Sequence, residues 1–138
     1  MTQPPAATAR TRVFTDLDYE APGKRHGLLR VPQVRDDSGW GVVQIPLCVI
    51  RNGRGPTLLL TGGTHGDEYE GPIALMDLAR ALDAAELNGR LIIIPALHFP
   101  AAKAGRRTSP VDGTKSMPRP PECRSRFASV IGSSTLVT

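Results

Sequence analysis

The chain has 138 residues and a formal net charge of +4 at pH 7. This length allows one domain with its own hydrophobic core, and no segment approaches the ~20 apolar residues of a membrane-spanning helix. The excess positive charge lies in residues 101–138, which hold seven Lys/Arg against two Asp/Glu, with Phe127 as their only aromatic residue. Because proteins that bind single-stranded nucleic acid combine basic residues with stacking aromatics, we expect neither nucleic acid nor membrane as a partner.

The first segment, residues 1–24, is predicted to be a flexible lead-in, because it is polar and carries Pro4, Pro5 and Pro22. Residues 1–12 lack the apolar stretch of a secretory signal. The expected location of the protein is therefore the cytoplasm.

Apolar and β-branched segments predict the first strands. Residues 27–31 are a strand candidate, and residues 40–50 are predicted to form one or two strands. Pro46 cannot donate a ladder hydrogen bond, which indicates a sheet edge or a bulge. Cys48 lies in the same apolar run and is expected to be a buried free thiol.

A strand, a helix and a second strand are predicted next. Residues 57–61 and 91–95 are apolar enough for buried strands, and residues 72–87 are predicted to be helical. Pro72 suits the first turn of that helix, where its missing N–H needs no partner. This order predicts a βαβ unit with parallel strands, and so an α/β fold with a mixed or parallel sheet and a flanking helix. The apolar face of the helix consists of Leu75, Leu78, Ala79 and Leu82.

Two residues of metal-ligand type follow the first of these strands through a glycine turn. His65 and Glu68 lie three residues apart, just after Gly62 and Gly63. An imidazole nitrogen and a carboxylate oxygen on one tight turn can hold the same divalent ion, and two His with one Glu is a catalytic zinc set. Open α/β sheets place their sites at such strand ends. The pattern therefore predicts two of three zinc ligands; the alternative is a surface turn with His65 hydrogen-bonded locally.

Three further residues near this edge are candidates for supporting roles. Asp67 and Glu70 could orient His65 or interact favourably with the helix N-terminus, and the second role is favoured for Glu70. His98 follows the second apolar strand at the same edge, where a role as third ligand is conceivable.

Residues 61–72, Thr-Gly-Gly-Thr-His-Gly-Asp-Glu-Tyr-Glu-Gly-Pro, resemble the zinc motif of the succinylglutamate desuccinylase/aspartoacylase family, which shares the zinc-carboxypeptidase fold. Residues 105–113, Gly-Arg-Arg-Thr-Ser-Pro-Val-Asp-Gly, resemble the next block of that family. Within it, the similarity is to the deacetylases of N-alpha-acetyl-diaminobutyrate. The resemblance covers residues 27–113, so residues 25–113 are predicted to be a partial zinc-carboxypeptidase-like catalytic domain.

The resemblance implies a zinc-dependent hydrolase of small N-acyl amino acids, for example N-acetyl-diaminobutyrate. His65 and Glu68 would bind one Zn²⁺ together with a second histidine from a later strand, and a later glutamate would be the general base. Arg107 matches a family arginine that contacts the substrate carbonyl or carboxylate, a task that suits the planar guanidinium. Without that match, Arg107 would be interpreted as a solvated surface arginine. The family usually has asparagine at the position of His98, which argues against ligation there.

The sequence departs from the family after Gly113. The family continues with an Asn-x-Asn-Arg segment that clamps the substrate carboxylate, whereas Lys-Ser-Met-Pro occupies residues 115–118 here. The chain also ends before the block that would supply the second zinc histidine. Residues 114–138 are therefore predicted to be an aberrant, disordered tail with at most a short strand at 127–131. We hypothesise a shift of the coding frame near Thr114; a genuine variant tail is the alternative.

These departures predict a truncated, inactive hydrolase. Two protein ligands should hold zinc weakly, because catalytic sites normally use three, and we expect no deacylase turnover. A truncated sheet has an exposed edge, so we expect homo-oligomerisation or aggregation. The alternative function is that of a non-catalytic fragment that binds a metal or a protein partner.

Overall fold

The computed structural model describes residues 12–33, 39, 41–111 and 135–136. These residues form a mixed six-stranded sheet with helices packed against it. The elements, in chain order, are β1 (Phe14–Thr15), β2 (Gly23–Pro32), β3 (Val42–Asn52), β4 (Thr57–Thr61), α1 (Glu70–Ala81), a 3-10 turn (Ala84–Glu86), β5 (Gly89–Ile94), α2 (Phe99–Ala104) and β6 (Thr135–Leu136).

The order of strands in the sheet is β1-β2-β3-β5-β4-β6. Strands β1, β2, β3 and β5 pair in antiparallel fashion, whereas β4 and β5 are parallel neighbours joined through α1. The predicted βαβ unit and the α/β class with a mixed sheet are therefore confirmed. Strand β6 lies parallel to β4 on the side away from β5.

Strand β5 is the centre of the hydrophobic core, and all six of its residues are buried. Its side chains alternate between the two faces of the sheet, as in any strand. Leu91 and Ile93 pack in the cluster that α1 covers, and Ile92 lies in the cluster on the other face, against which Phe99 of α2 packs. Full burial of an isoleucine is worth about 1.5–3 kcal/mol, so this strand stabilises both layers.

Helix α1 has the predicted apolar face but ends earlier than predicted. Its leucines and Ala79 belong to the cluster with Ile93, yet the helix ends at Ala81 rather than near residue 87. The reason is local: the Asp83 carboxylate accepts from Ala85 N at 2.9 Å, and Glu86 accepts from Asp83 N at 2.8 Å. This reciprocal cap starts a separate 3-10 turn and competes with continuation of the helix.

Strand β2 is longer than the sequence predicts, and β3 is one continuous strand that lies two residues later than the predicted range 40–50. Pro46 lies opposite Leu28 of β2 in unbroken register. On its other side, β3 pairs with β5 only from Cys48 onward. Among the described strands, Pro46 therefore has a partner on one side and lies in unbroken register, which agrees with the first of the two predicted alternatives, a sheet edge.

Residues 12–22 contact the sheet, which their composition does not predict. They include β1, and Glu20 forms ion pairs with the buried Arg90 and with Arg51 at 3.2 Å. Residues 1–11 of the predicted lead-in lie outside the described part of the chain.

Most of the predicted tail also lies outside the described residues, including Cys123 and the strand predicted at residues 127–131. Cys48 is a buried free thiol, as predicted, and burial raises its pKa despite the opposing effect of Lys24. Among the described residues, no helix combines the length and the apolar character needed to cross a membrane.

Candidate metal site

Backbone hydrogen bonds join the turn after β4 to the segment after β5. Gly62 N donates to Ile94 O at 3.0 Å, and Gly62 O accepts from Leu97 N at 2.8 Å. Gly63 has a φ of +62°, which favours glycine, and its carbonyl accepts from His98 N at 3.1 Å. The carboxyl ends of the two parallel strands are thereby fixed to each other, and the loop that carries His65 starts from this base.

Helix α2 lies directly against the same loop. A Cβ on Gly66 would come within 2.1 Å of the carbonyl carbon and oxygen of Ala101, so only glycine permits this approach. Gly66 N also donates to Arg106 O at 3.1 Å. Gly105 ends the helix in the left-handed conformation, at a φ of +61°, and the chain returns toward the loop. These contacts place Arg107 beside His65.

The three predicted site residues lie together. Nδ1 of His65 is 2.9 Å from Oε1 of Glu68. The Arg107 guanidinium lies across both atoms, with Nη2 at 2.9 Å from His65 Nδ1 and Nη1 at 3.2 Å from Glu68 Oε1. Nη1 is also 3.3 Å from the Asp67 carboxylate. We call His65, Asp67, Glu68 and Arg107 the loop cluster.

The proton on His65 decides which contacts are hydrogen bonds. Glu68 accepts from Nδ1 only if that nitrogen is protonated. Arginine nitrogens can only donate, so Arg107 bonds to Nδ1 only if that nitrogen carries its lone pair. The two contacts therefore exclude each other as hydrogen bonds. The unprotonated form is also the form that binds a metal.

The loop cluster is open to solvent and carries more negative than positive charge. The exposed fractions of the side chains are 20% for His65, 53% for Glu68 and 55% for Arg107. Two carboxylates face one guanidinium, so the charge balance is negative with a neutral imidazole. Such a cluster attracts a cation.

The donor atoms fit two positions of a metal shell. In a tetrahedral zinc site with bonds of about 2.0–2.2 Å, neighbouring ligand atoms lie about 3.4 Å apart, and His65 Nδ1 and Glu68 Oε1 are 2.9 Å apart. A small rotation of either side chain would bring the pair to that separation. Within the described ranges, no group of three or more His, Cys, Asp or Glu side chains is arranged to hold a metal.

His98 does not join this pair among the described residues. Its backbone begins α2, and its N–H donates to Gly63 O. Its Nδ1 is buried without a hydrogen-bond partner in the part of the chain that is described. The structure thus places His98 beside the glycine turn and gives no support for ligation by it.

The contact between Asp67 and Arg107 was not predicted. The sequence suggested that Asp67 orients His65 or faces the helix N-terminus, whereas its carboxylate contacts Arg107, 40 residues later in the chain. Glu70 lies in the first turn of α1, as its proposed interaction with the helix dipole requires. Helix α2 was also missed, although Pro100 in its first turn and Gly105 after its end are common helix-boundary signals.

Comparison with known proteins gives the site a family context. The model of the succinylglutamate desuccinylase/aspartoacylase catalytic domain matches residues 54–119, which include the loop cluster. The chain is 46% identical over 125 residues to an N-alpha-acetyl-L-2,4-diaminobutyric acid deacetylase from Halomonas elongata, an alignment that covers 88% of this chain. The chain belongs to the succinylglutamate desuccinylase/aspartoacylase family.

Solved structures of similar proteins confirm the fold. The ectoine utilization protein EutE from Ruegeria pomeroyi, in a product-bound structure, is 52% identical with a TM-score of 0.73 over 77% of this chain. A succinylglutamate desuccinylase/aspartoacylase from Rhodobacter sphaeroides is 45% identical with a TM-score of 0.73 over 86% of this chain. The predicted fold, part of a zinc-carboxypeptidase-like domain, is therefore confirmed.

The chain spans about a third of the length of these relatives. It covers 36% of the Halomonas protein, 32% of the Ruegeria structure and 39% of the Rhodobacter structure.

Proposed function

We propose that this chain carries part of the active site of a zinc-dependent amide hydrolase that acts on small N-acyl amino acids. The observation that carries the proposal is the placement of His65 Nδ1 and Glu68 Oε1, 2.9 Å apart, at the carboxyl end of β4. The name of the Halomonas relative, a deacetylase of N-alpha-acetyl-L-2,4-diaminobutyric acid, supports N-acetyl-diaminobutyrate as the substrate.

Each residue of the loop cluster has a role in this proposal. His65 and Glu68 would hold the zinc ion, which would supply a Lewis acid that activates water and polarises the amide carbonyl. Arg107 would donate to the substrate carbonyl or carboxylate oxygen, since its two terminal nitrogens form a fork that matches such oxygens. Its exposed side chain already lies beside the ligand pair, which supports this role.

The described residues supply two protein ligands and no third. With this ligand set, we expect zinc binding to be weak and deacylase turnover to be absent. The cytoplasmic location, the self-association through a sheet edge and the aberrant nature of residues 114–138 stay predictions.

A second candidate is a non-catalytic fragment that binds metal without turnover. It is favoured by one observation: among the residues that the structure describes, His65 and Glu68 have no third ligand. The two candidates share the metal site and differ in chemistry, so metal binding and acetate release must be measured separately.

The test is zinc titration of the purified chain against a chromophoric chelator. We expect H65A and E68Q to weaken zinc binding by at least about tenfold, since even the outer partners of metal ligands are worth that much. H26A is the matched control, because His26 is exposed on β2 and lies outside the loop cluster. Equal zinc affinity in H65A, E68Q and the unmodified chain would contradict the metal site.

The second part of the test measures acetate release from N-acetyl-diaminobutyrate. We expect none from this chain with zinc added. Zinc-dependent release that is lost in E68Q would contradict the predicted inactivity and the non-catalytic alternative, while supporting the metal site.

A further inference from the structure

The Arg107 guanidinium lies on the same two atoms that would bind the metal. We propose that Arg107 competes with the metal for His65 and Glu68, and that Asp67 receives the guanidinium when the metal binds. This inference rests on the proposed metal site and concerns how that site is loaded.

The competition follows from the donor chemistry. Nη2 is 2.9 Å from His65 Nδ1 and Nη1 is 3.2 Å from Glu68 Oε1. An arginine nitrogen can only donate, so both contacts use lone pairs. His65 Nδ1 has a single lone pair, which cannot serve the guanidinium and a metal ion at the same time, whereas the Glu68 carboxylate has several. The guanidinium is also a cation, and a divalent ion at hydrogen-bonding range would repel it. One of the two cations must therefore leave.

Before metal binding, the guanidinium has a structural effect on the ligand pair. With Nδ1 unprotonated, two electron-rich atoms face each other at 2.9 Å. A positive group that contacts both offsets their mutual repulsion. Arg107 thus keeps the two donor atoms close together, within a small side-chain rotation of the separation that a metal would require.

The position for the displaced guanidinium is adjacent. Both Asp67 carboxylate oxygens lie near Nη1 of Arg107, at 3.3 and 3.5 Å. Asp67 is not part of the ligand pair, and its exposed carboxylate stays available after the metal has bound. A shift of the guanidinium toward Asp67 therefore exchanges three partners for one without isolating the charge.

The backbone limits this movement to the side chain. The neighbouring residue is fixed by the bond from Gly66 N to Arg106 O at 3.1 Å, and Gly66 packs directly on Ala101. The main chain of Arg107 therefore stays beside the loop. Because its side chain is 55% exposed, rotation about its side-chain bonds is open. Metal binding would free the guanidinium without removing it from the site.

The experiment compares zinc affinities by chelator competition. We expect R107Q to bind zinc about fivefold more tightly than the unmodified chain, the scale of a partly exposed charge contact. R106Q is the matched control: it removes the same charge one residue earlier, where the contact to the loop is made by the backbone, and its affinity should be unchanged. In metal-free chains, R107Q should shift the ¹⁵N signals of the His65 ring, and R106Q should not.

Asp67 gives a second measurement through a double-mutant cycle. D67N should weaken zinc binding several-fold when Arg107 is present, because the displaced guanidinium then lacks its partner. The same change in the R107Q background should have a much smaller effect, since no guanidinium needs a place. Equal effects of D67N in both backgrounds would overturn the role of Asp67.

The outcomes separate this inference from the proposed function. If R107Q binds zinc no more tightly than the unmodified chain while H65A weakens binding, the competition is wrong and the metal site stands. If H65A and E68Q leave zinc affinity unchanged, the metal site itself is wrong. Far-UV circular dichroism shows whether each variant folds. If R107Q does not fold, the zinc affinity of R107K is measured in its place. A lysine keeps the charge but cannot bridge two atoms with a fork, so tighter binding than the unmodified chain is expected, and weaker binding would overturn the proposal.

Discussion

The middle of the sheet and the loop cluster are built by different interactions. In strands β3 and β5, side chains such as Ile50, Ile92 and Ile93 are completely buried, and apolar packing determines their positions. In the loop cluster the functional side chains are between 20% and 55% exposed, and their positions depend on main-chain hydrogen bonds and on one close approach at Gly66. Changes in the first region should therefore unfold the chain, and changes in the second should disturb the site while the sheet persists.

The largest expected effect is in the sheet. Replacement of Ile92 by alanine should lower the free energy of unfolding by about 2–5 kcal/mol, the cost of a large-to-small change in a closed core. That is a large part of the stability of a domain of this size, so zinc binding should be lost together with the fold. The measurement is urea unfolding followed by far-UV circular dichroism.

Ile92→Val is the matched control for this change. Removal of one methylene group should cost about 0.5–1.5 kcal/mol and leave zinc affinity unchanged. A loss of less than 1 kcal/mol in Ile92→Ala would contradict the central position of β5 in the core.

An intermediate effect is expected at Gly66. An added Cβ would lie 2.1 Å from the Ala101 carbonyl, so Gly66→Ala must push α2 away from the loop at a cost of about 1–3 kcal/mol. The strand signals in circular dichroism should persist, while zinc binding weakens because Gly66 lies between His65 and Glu68, and the loop that carries these two ligands is distorted when it separates from α2. The measurements are urea unfolding and zinc titration on the same sample.

Gly71→Ala is the control in the same segment. A Cβ there would meet only the Gly62 Cα at 3.7 Å, an ordinary contact, and the residue lies in α1. Alanine should therefore be neutral or stabilising by about 0.5–1 kcal/mol, with zinc affinity unchanged. If Gly66→Ala and Gly71→Ala had the same stability and the same zinc affinity, the close approach at Gly66 would not position the loop cluster, and the proposed difference between the two regions would be wrong.

A smaller effect is expected at the end of α1, remote from the loop cluster. Asp83→Ala removes the reciprocal cap with Glu86 and should cost about 0.5–2 kcal/mol without changing zinc affinity. Asp77→Ala is the control, because its carboxylate contacts the exposed Arg80 at 2.7 Å and exposed pairs contribute about 0–1 kcal/mol. A change of zinc affinity in Asp83→Ala would show that the regions are coupled.

The two regions also differ in how far the sequence predicts them. Apolar runs and helical spacing predicted β4, β5 and the leucine face of α1, because burial requires apolar side chains at fixed periods. The early end of α1 was missed, since the cap at Asp83 depends on local hydrogen bonds that override an apolar pattern.

The sequence predicted which residues form the functional part of the loop cluster, but it did not predict how their side chains contact one another. His65, Glu68 and Arg107 were identified from the motif and the family resemblance, and the structure brings them together. The contact of Asp67 with Arg107 could not be predicted, because it depends on α2 and on the approach at Gly66. Such contacts join segments 40 residues apart and leave no periodic pattern.

The most direct test of the account is the ¹⁵N spectrum of the histidine rings during zinc addition. We predict that His65 Nδ1 shifts strongly toward the value of a metal-bound nitrogen, that the exposed His26 does not shift, and that E68Q weakens the response of His65. A His65 ring whose two nitrogen signals stay unchanged at saturating zinc would contradict the account.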